Sequence, residues 1–294
     1  MDQSLSLKHF LLALLVVGIW GTNFVVIRIG LDDLPPLLFA ALRFLFAFFP
    51  AMLFVRRPRV ALSNLAAFGL FIGVGQFGVL FIAMNGWISP GLASLVVQSQ
   101  VLFTIGLALV LQGEPVRVRH LVSLALGIAG IAVIAANTGG SATGLGLVLV
   151  LCAGFSWACG NIVSKRSGAD DVLAYVIWSS AFAVPPLLAL SLLFEGPEAI
   201  LTGLAAAGPV TWASVLWQSL GNAILGYGAW SFLLSRYPAA TITPMALLVP
   251  VFGMGASFLF LGEPLESWKL LAAFLVISGL AVGLLWRPRR LPVA

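Results

Sequence analysis

The sequence predicts an all-α integral membrane protein: ten transmembrane helices as two inverted five-helix repeats, with both termini cytoplasmic. Three observations lead there. Of 294 residues, 61% are hydrophobic and 9% charged, against about 25% charged in soluble domains. Ten segments are apolar over the roughly 20 residues that a helix needs to cross a hydrocarbon core of ~30 Å. The run FLFLGEP at 258–264 also echoes LVLQGEP at 109–115, a shift of 149 residues.

The segments follow in order. The first, 8–28, has Lys8 ahead of its apolar run but continues into WGTNFVVIRIG without a small-residue cleavage site, so it is an uncleaved helix. The second, 35–55, opens on two prolines and carries Arg43. The third, 65–84, contains Gly69, Gly73, Gly75 and Gly78, which permit close packing or bending. Segments 90–111 and 117–136 flank the first Gly-Glu-Pro. Cys152 and Cys159, in 144–164, stand about 10.5 Å apart along one helix, too far for a disulfide. Segment 172–194 is joined to 211–234 by the longer stretch EGPEAILTGLAAAGPVT. Pro244 and Pro250 interrupt 239–261 and are candidate hinges, and 267–286 completes the set. None shows the alternation of an outer-membrane barrel strand, and the connections are too short to hold a soluble domain.

Fifteen Lys and Arg against ten Asp and Glu leave a net charge of +5. Placement explains this excess without nucleic acid. With the N-terminus inside, Lys8, Arg56, Arg57, Arg59, Arg117, Arg119, Lys165, Arg166, Arg236, Arg287, Arg289 and Arg290 fall on the cytoplasmic side, and only Arg28 and Lys269 fall outside. Basic residues are retained on the cytoplasmic side of membranes, so both termini are predicted there.

The chain also repeats itself. At the shift of 149, eleven of thirty-one ungapped positions from Phe103 to Val133 match, including Gly113, Glu114 and Pro115 with Gly262, Glu263 and Pro264, and Gly130 with Gly279. A weaker match at a shift of 137 sets Trp20 and Arg28 against Trp157 and Lys165. The halves are 1–137 and 138–294. Five helices per half force the second copy to enter the membrane upside down, the inverted-repeat plan that lets two similar halves exchange conformations. The Gly-Glu-Pro turns are read as structural: Gly ends a helix, Pro opens the next, and neither Glu is expected at substrate.

WGTNFVVIR, DLPPLLFAALRF and the two Gly-Glu-Pro turns together resemble the EamA-type branch of the drug/metabolite transporter superfamily. The resemblance spans nearly the whole chain. It implies a monomeric permease of the bacterial inner membrane, and among such permeases are exporters of amino acids and related metabolites.

Polar groups inside a membrane mark function. Arg43 lies about 12 Å beyond Pro35 along its helix, and no Asp or Glu falls within a span to pair with it. It either bonds backbone carbonyls or reaches outward, or it clamps a substrate carboxylate. Trp20, Trp157, Trp178, Trp217 and Trp230 lie deep. Trp20 with Asn23, and Trp157 with Asn161, each share a helix face, and these two faces are expected to meet near the symmetry axis. Gln76, Gln98, Gln218 and Asn222 add uncharged hydrogen-bonding groups, either as interhelical contacts or around an aromatic-walled cavity. Trp87, Trp212, Trp268 and Trp286 fit membrane interfaces.

No cofactor or metal site is expected. The spans offer no acid–base or nucleophilic constellation, which argues against an enzyme. Proton-coupled pumps relay through intramembrane carboxylates or His, so strong proton coupling is not expected either. The function predicted is outward transport of small organic solutes, neutral or aromatic amino acids above all, by alternating access in the lipid bilayer. Efflux of other metabolites or drugs, and a non-transporting membrane sensor, are the alternatives.

Overall fold

The computed structural model describes residues 5–111 and 116–285. The first Gly-Glu-Pro turn and Trp286 therefore lie outside the described residues. The elements are α1 (Leu7–Gly30), α2 (Pro36–Leu53), α3 (Leu62–Met84), α4 (Pro90–Leu111), α5 (Val118–Ala136), α6 (Gly144–Ser167), α7 (Val172–Phe194), the short α8 (Gly196–Ala206), α9 (Pro209–Arg236), α10 (Thr243–Leu261) and α11 (Ser267–Leu285). Nine of these are long and apolar enough to cross a membrane among the described residues, and α8 with α9, bent by 104°, makes a tenth. There is no strand among the described residues, only isolated bridges at Ile88–Ala142 and Gly139–Ala142.

Sequence chemistry sets the helix starts. Ser6, Thr143 and Asp171 accept the backbone N–H groups of His9, Gly146 and Ala174, so each satisfies an orphan donor of a first turn. Pro36, Pro90, Pro197 and Pro209 occupy first-turn positions where no N–H is needed. The stretch between the seventh and eighth predicted spans is not merely a connection. Gly196, at φ 83°, turns the chain out of α7, and residues 196–206 then form a helix of their own.

Packing repeats with two-fold symmetry. The second spans of each half, α2 and α7, lie together, as do the fifth, α5 and α11. α1 packs on α10 and α9, while α6, its counterpart, packs on α4 and α3. Gly130 and Gly279, matched in the self-alignment, face each other's helices. A Cβ on Gly130 would stand 2.7 Å from Val276 Cγ2, and one on Gly279 would stand 2.9 Å from the Ser123 carbonyl oxygen. Small residues let these two helices approach in a solvent that gives no hydrophobic drive. Gly69 and Gly73 likewise abut Ser179 and Ala183 of α7, and Gly75 and Gly78 abut Ser156 and Leu187. The four glycines of α3 serve close packing.

The irregularities repeat too. α3 contains a nine-residue π-helical stretch, Leu70–Gly78, and α9 contains another, Trp217–Leu225. α4 breaks between Val96 and Ser99, and α10 begins as a 3₁₀ stretch, Thr243–Leu248, before turning α-helical at Val249. Pro244 lies in that 3₁₀ stretch and Pro250 in the first α turn beyond it.

The second Gly-Glu-Pro turn is visible in detail. Gly262 closes α10 at φ 66°, the left-handed conformation that glycine adopts without strain. Glu263 then reaches into the other half, where it accepts hydrogen bonds from Ser89 Oγ and from Gly91 N–H (2.9 Å) at the start of α4. Glu195, at the end of α7, does the same for α2, accepting from the N–H groups of Leu37 (2.6 Å) and Leu38 (3.1 Å). Carboxylates favour the positive end of a helix dipole, and here each one joins the two halves.

Lys269, which positive-inside counting sets on the outer side, is buried on α11, with 1% exposure. Its Nζ donates to Ser141 Oγ (2.7 Å) and to the Pro264 carbonyl (2.8 Å), and it lies 3.7 Å from Glu263 and 3.4 Å from Glu266. A buried ammonium persists only when its protons are taken up in this way.

Candidate substrate-binding site

Arg43 is the feature that the fold isolates. It stands on α2 with 2% exposure, and its Nε and Nη1 have no hydrogen-bond partner among the described residues. It neither bonds backbone carbonyls through these atoms nor reaches outward. Its guanidinium carbon lies 3.5 Å from the centre of the Phe77 ring and 4.8 Å from that of Phe44. Ring faces attract a cation but accept no conventional hydrogen bond.

A cavity opens beside it, lined by Arg43, Phe44, Phe68, Ile72, Phe77, Val176, Ser180, Ala223 and Tyr227. These residues come from α2 and α3 of the first half and from α7 and α9, their counterparts, in the second. The cavity thus lies between the halves. Its volume is about 20 Å³, room for roughly one water, whereas ligand pockets run to roughly 300–1,000 Å³. In this conformation the cavity is closed. A larger groove of about 400 Å³, lined by Leu31, Asp32, Asp33, Pro35, Asn85 and Thr202 among others, lies at one end beneath α8.

Five of the residues singled out in the sequence gather between α1 and α9. Trp20 Nε1 donates to the Asn222 carbonyl (3.3 Å), and its ring lies 5.1 Å from Trp230 and 5.5 Å from Tyr227. Asn23 Oδ1 accepts from Gln218 Nε2 at 2.7 Å. Gln218 is fully buried, and its Oε1 has no partner. Tyr227 belongs to both groups, since it lines the Arg43 cavity and packs on Trp20.

The other candidates stand elsewhere. Asn161 Nδ2 donates to Gln100 Oε1 (2.9 Å) and Thr104 Oγ1 (3.3 Å), tying α6 to α4, and Trp157 packs against the main core. The expectation that the Trp20 and Trp157 faces meet is thereby corrected: α1 packs mainly on α9 and α10 and α6 on α3 and α4, each on helices of the other half. Trp178 Nε1 donates to the Val55 carbonyl (3.0 Å) and anchors the end of α2. Gln76 is buried in the π-helical stretch of α3, and Gln98 is buried at the break in α4. Trp217 is 38% exposed on α9.

Phe44, Phe77, Ser180 and Tyr227 escaped the sequence reading. Tyr227 had one available signal, a phenol within an apolar span. The π-helical stretch hid its register, because each i→i+5 turn holds more residues than an α turn and shifts the following face.

Comparison with known proteins bears on this architecture. The profile of the EamA-like transporter family matches twice, over residues 7–136 and 144–285. The chain belongs to the EamA-like transporter family. A relative named "Probable amino-acid metabolite efflux pump" in Salmonella typhimurium is 43% identical, over 97% of this chain and 98% of the relative. "Uncharacterized inner membrane transporter YedA" of Escherichia coli is 30% identical, over 94% of this chain and 89% of its own. A solved crystal structure of a protein 18% identical shares the fold, with a TM-score of 0.62 over 95% of this chain and 96% of that one. This EamA-like chain is a transporter and not an enzyme, a multi-pass protein of the bacterial inner membrane.

Proposed function

We propose that the protein exports neutral or aromatic amino acids, or close metabolites of them, by alternating access around the Arg43 cavity. One observation carries this reading: a buried guanidinium whose Nε and Nη1 have no partner among the described residues faces an aromatic cavity between the halves. Guanidinium donors suit a carboxylate, and the ring faces suit an apolar side chain. The printed name of the Salmonella relative supports amino-acid metabolites as cargo. Substrates with two or more negative charges fit poorly, because one cation cannot balance them.

The cycle requires the closed cavity to open toward each end in turn. Pro244 and Pro250 are proposed as hinges in α10, with the break in α4 as their counterpart. The two repeats are 1–137 and 138–294, the chain acts as a monomer, and both termini face the cytoplasm. Strong proton coupling is not part of the proposal.

Proteoliposome flux of labelled amino acids tests it, with quaternary ammonium and sugar-phosphate controls. The expected result is selective flux of neutral or aromatic amino acids or their derivatives, lost in Arg43→Gln protein that remains folded. Selective sugar-phosphate flux, or proton flux stoichiometric with substrate, would contradict it.

A further inference from the structure

We infer that the Arg43 cavity prefers monocarboxylates whose neighbouring polar group is uncharged, such as 2-hydroxy acids or N-acylated amino acids, over the free amino acid. This rests on the carboxylate clamp proposed above and narrows its substrate.

Charge balance is the first reason. Asp2 and Glu114 lie outside the described residues, and of the other eight Asp and Glu side chains none falls within the nine long spans or α9, while Glu198 stands on the short α8 and does not line the cavity. A monoanion seated on Arg43 leaves the cavity neutral. A zwitterion brings in an ammonium with no counter-ion, and a desolvated, unpaired charge is strongly disfavoured.

Aromatic faces are the usual remedy for such an ammonium, but here they are engaged. The guanidinium of Arg43 already lies over Phe77 and Phe44, and Trp20 packs on Trp230 and Tyr227. Ser180 and Ser219 give their hydroxyl hydrogens to the Val176 and Val215 carbonyls, and the lone pairs left on their oxygens can accept a hydrogen bond but carry no charge to balance an ammonium.

The second reason is an acceptor left open. Gln218 uses its Nε2 on Asn23 Oδ1, which turns Oε1 away without a partner although the residue is fully buried. Gln218 lies one π turn before Ala223, which lines the cavity. A neutral amide oxygen accepts a hydroxyl or an amide N–H well, but it does not neutralise a cation.

The test is binding to purified protein in detergent, followed by intrinsic tryptophan fluorescence and confirmed by thermal shift. Detergent avoids passive leak of weak acids across vesicles. L-phenylalanine, 3-phenyllactate and N-acetyl-L-phenylalanine are compared at neutral pH. The two anions are expected to bind at least about tenfold more tightly than the zwitterion, a difference of about 1.4 kcal/mol. Arg43→Lys should weaken both anions and keep the ranking, and Arg43→Gln should abolish it. Equal or tighter binding of L-phenylalanine overturns the inference, while its loss in Arg43→Gln would leave the clamp standing. If Arg43→Gln leaves all three affinities unchanged, the clamp itself is wrong. Absence of wild-type binding to all three compounds also overturns the inference. The wild-type ranking needs no variant, so a misfolded one does not weaken the test.

Discussion

Arg43 reveals its role by what it lacks. Removing a charged group from water costs several kcal/mol, and a desolvated cation–π contact returns only about 2 kcal/mol. With two donors unpartnered, the side chain does not stabilise this conformation. Arg43→Gln should therefore fold and melt at the wild-type temperature or above it. Substrate binding should fall by roughly 10- to 100-fold, the worth of hydrogen bonds to a charged group. Thermal unfolding in detergent and ligand titration on the same sample separate the two effects. A variant that fails to fold would show that Arg43 is structural. The sequence showed that this residue had no acidic partner in the spans, because carboxylates are countable. Its aromatic neighbours were not legible, since which ring faces which cation depends on helix rotation.

Among the elements, legibility follows how strongly a residue type determines geometry. The Gly-Glu-Pro turn was readable because Gly262 must adopt a left-handed conformation that few residues tolerate. No residue type enforces an i→i+5 turn, so the two π-helical stretches left no trace in the sequence. α8 was passed over because Ala207 and Gly208 break the chain before Pro209, and eleven residues are too few to suggest a span. Lys269 was counted for its side of the membrane alone, and its burial was not legible because that depends on the loops that fold over the residue. Its ion pair with Glu263 gives an expected outcome. Replacing one member of a buried pair costs about 3–5 kcal/mol, and Lys269→Met should fall near the lower bound because Glu263 keeps its contacts to Ser89 and Gly91. Lys269→Met combined with Glu263→Gln should lose less than the two single variants summed. Additive losses in chemical unfolding would show that the pair is uncoupled.

For the molecule as a whole, the arrangement of its two ends bears on inversion. One end joins residues 87–91, 141–143 and 263–269 through Ser89 N–H to the Ser141 carbonyl, Thr143 N–H to the Trp87 carbonyl, and Lys269 to Ser141. A separate set joins residues 55–64 to 163–178 through Tyr175 with Asn64, Asn64 with the Val163 carbonyl, and Trp178 with the Val55 carbonyl. α5 ends at Ala136, next to the first set, and its 19 residues reach back about 28 Å at ~1.5 Å each. Arg117 therefore begins that helix a membrane's thickness away from Leu265, although the two residues follow equivalent turns of the repeat. Arg56, Arg57, Arg59, Lys165 and Arg166 lie within the second set, and the proposed orientation puts the cytoplasm at that end. With Cys152 and Cys159 first replaced by Ser, Leu265→Cys should react with a membrane-impermeant maleimide in intact cells. Arg117→Cys should react only in inverted vesicles. Labelling of both from one side would end the inverted arrangement, and with it the two near-equivalent conformations that alternating access requires.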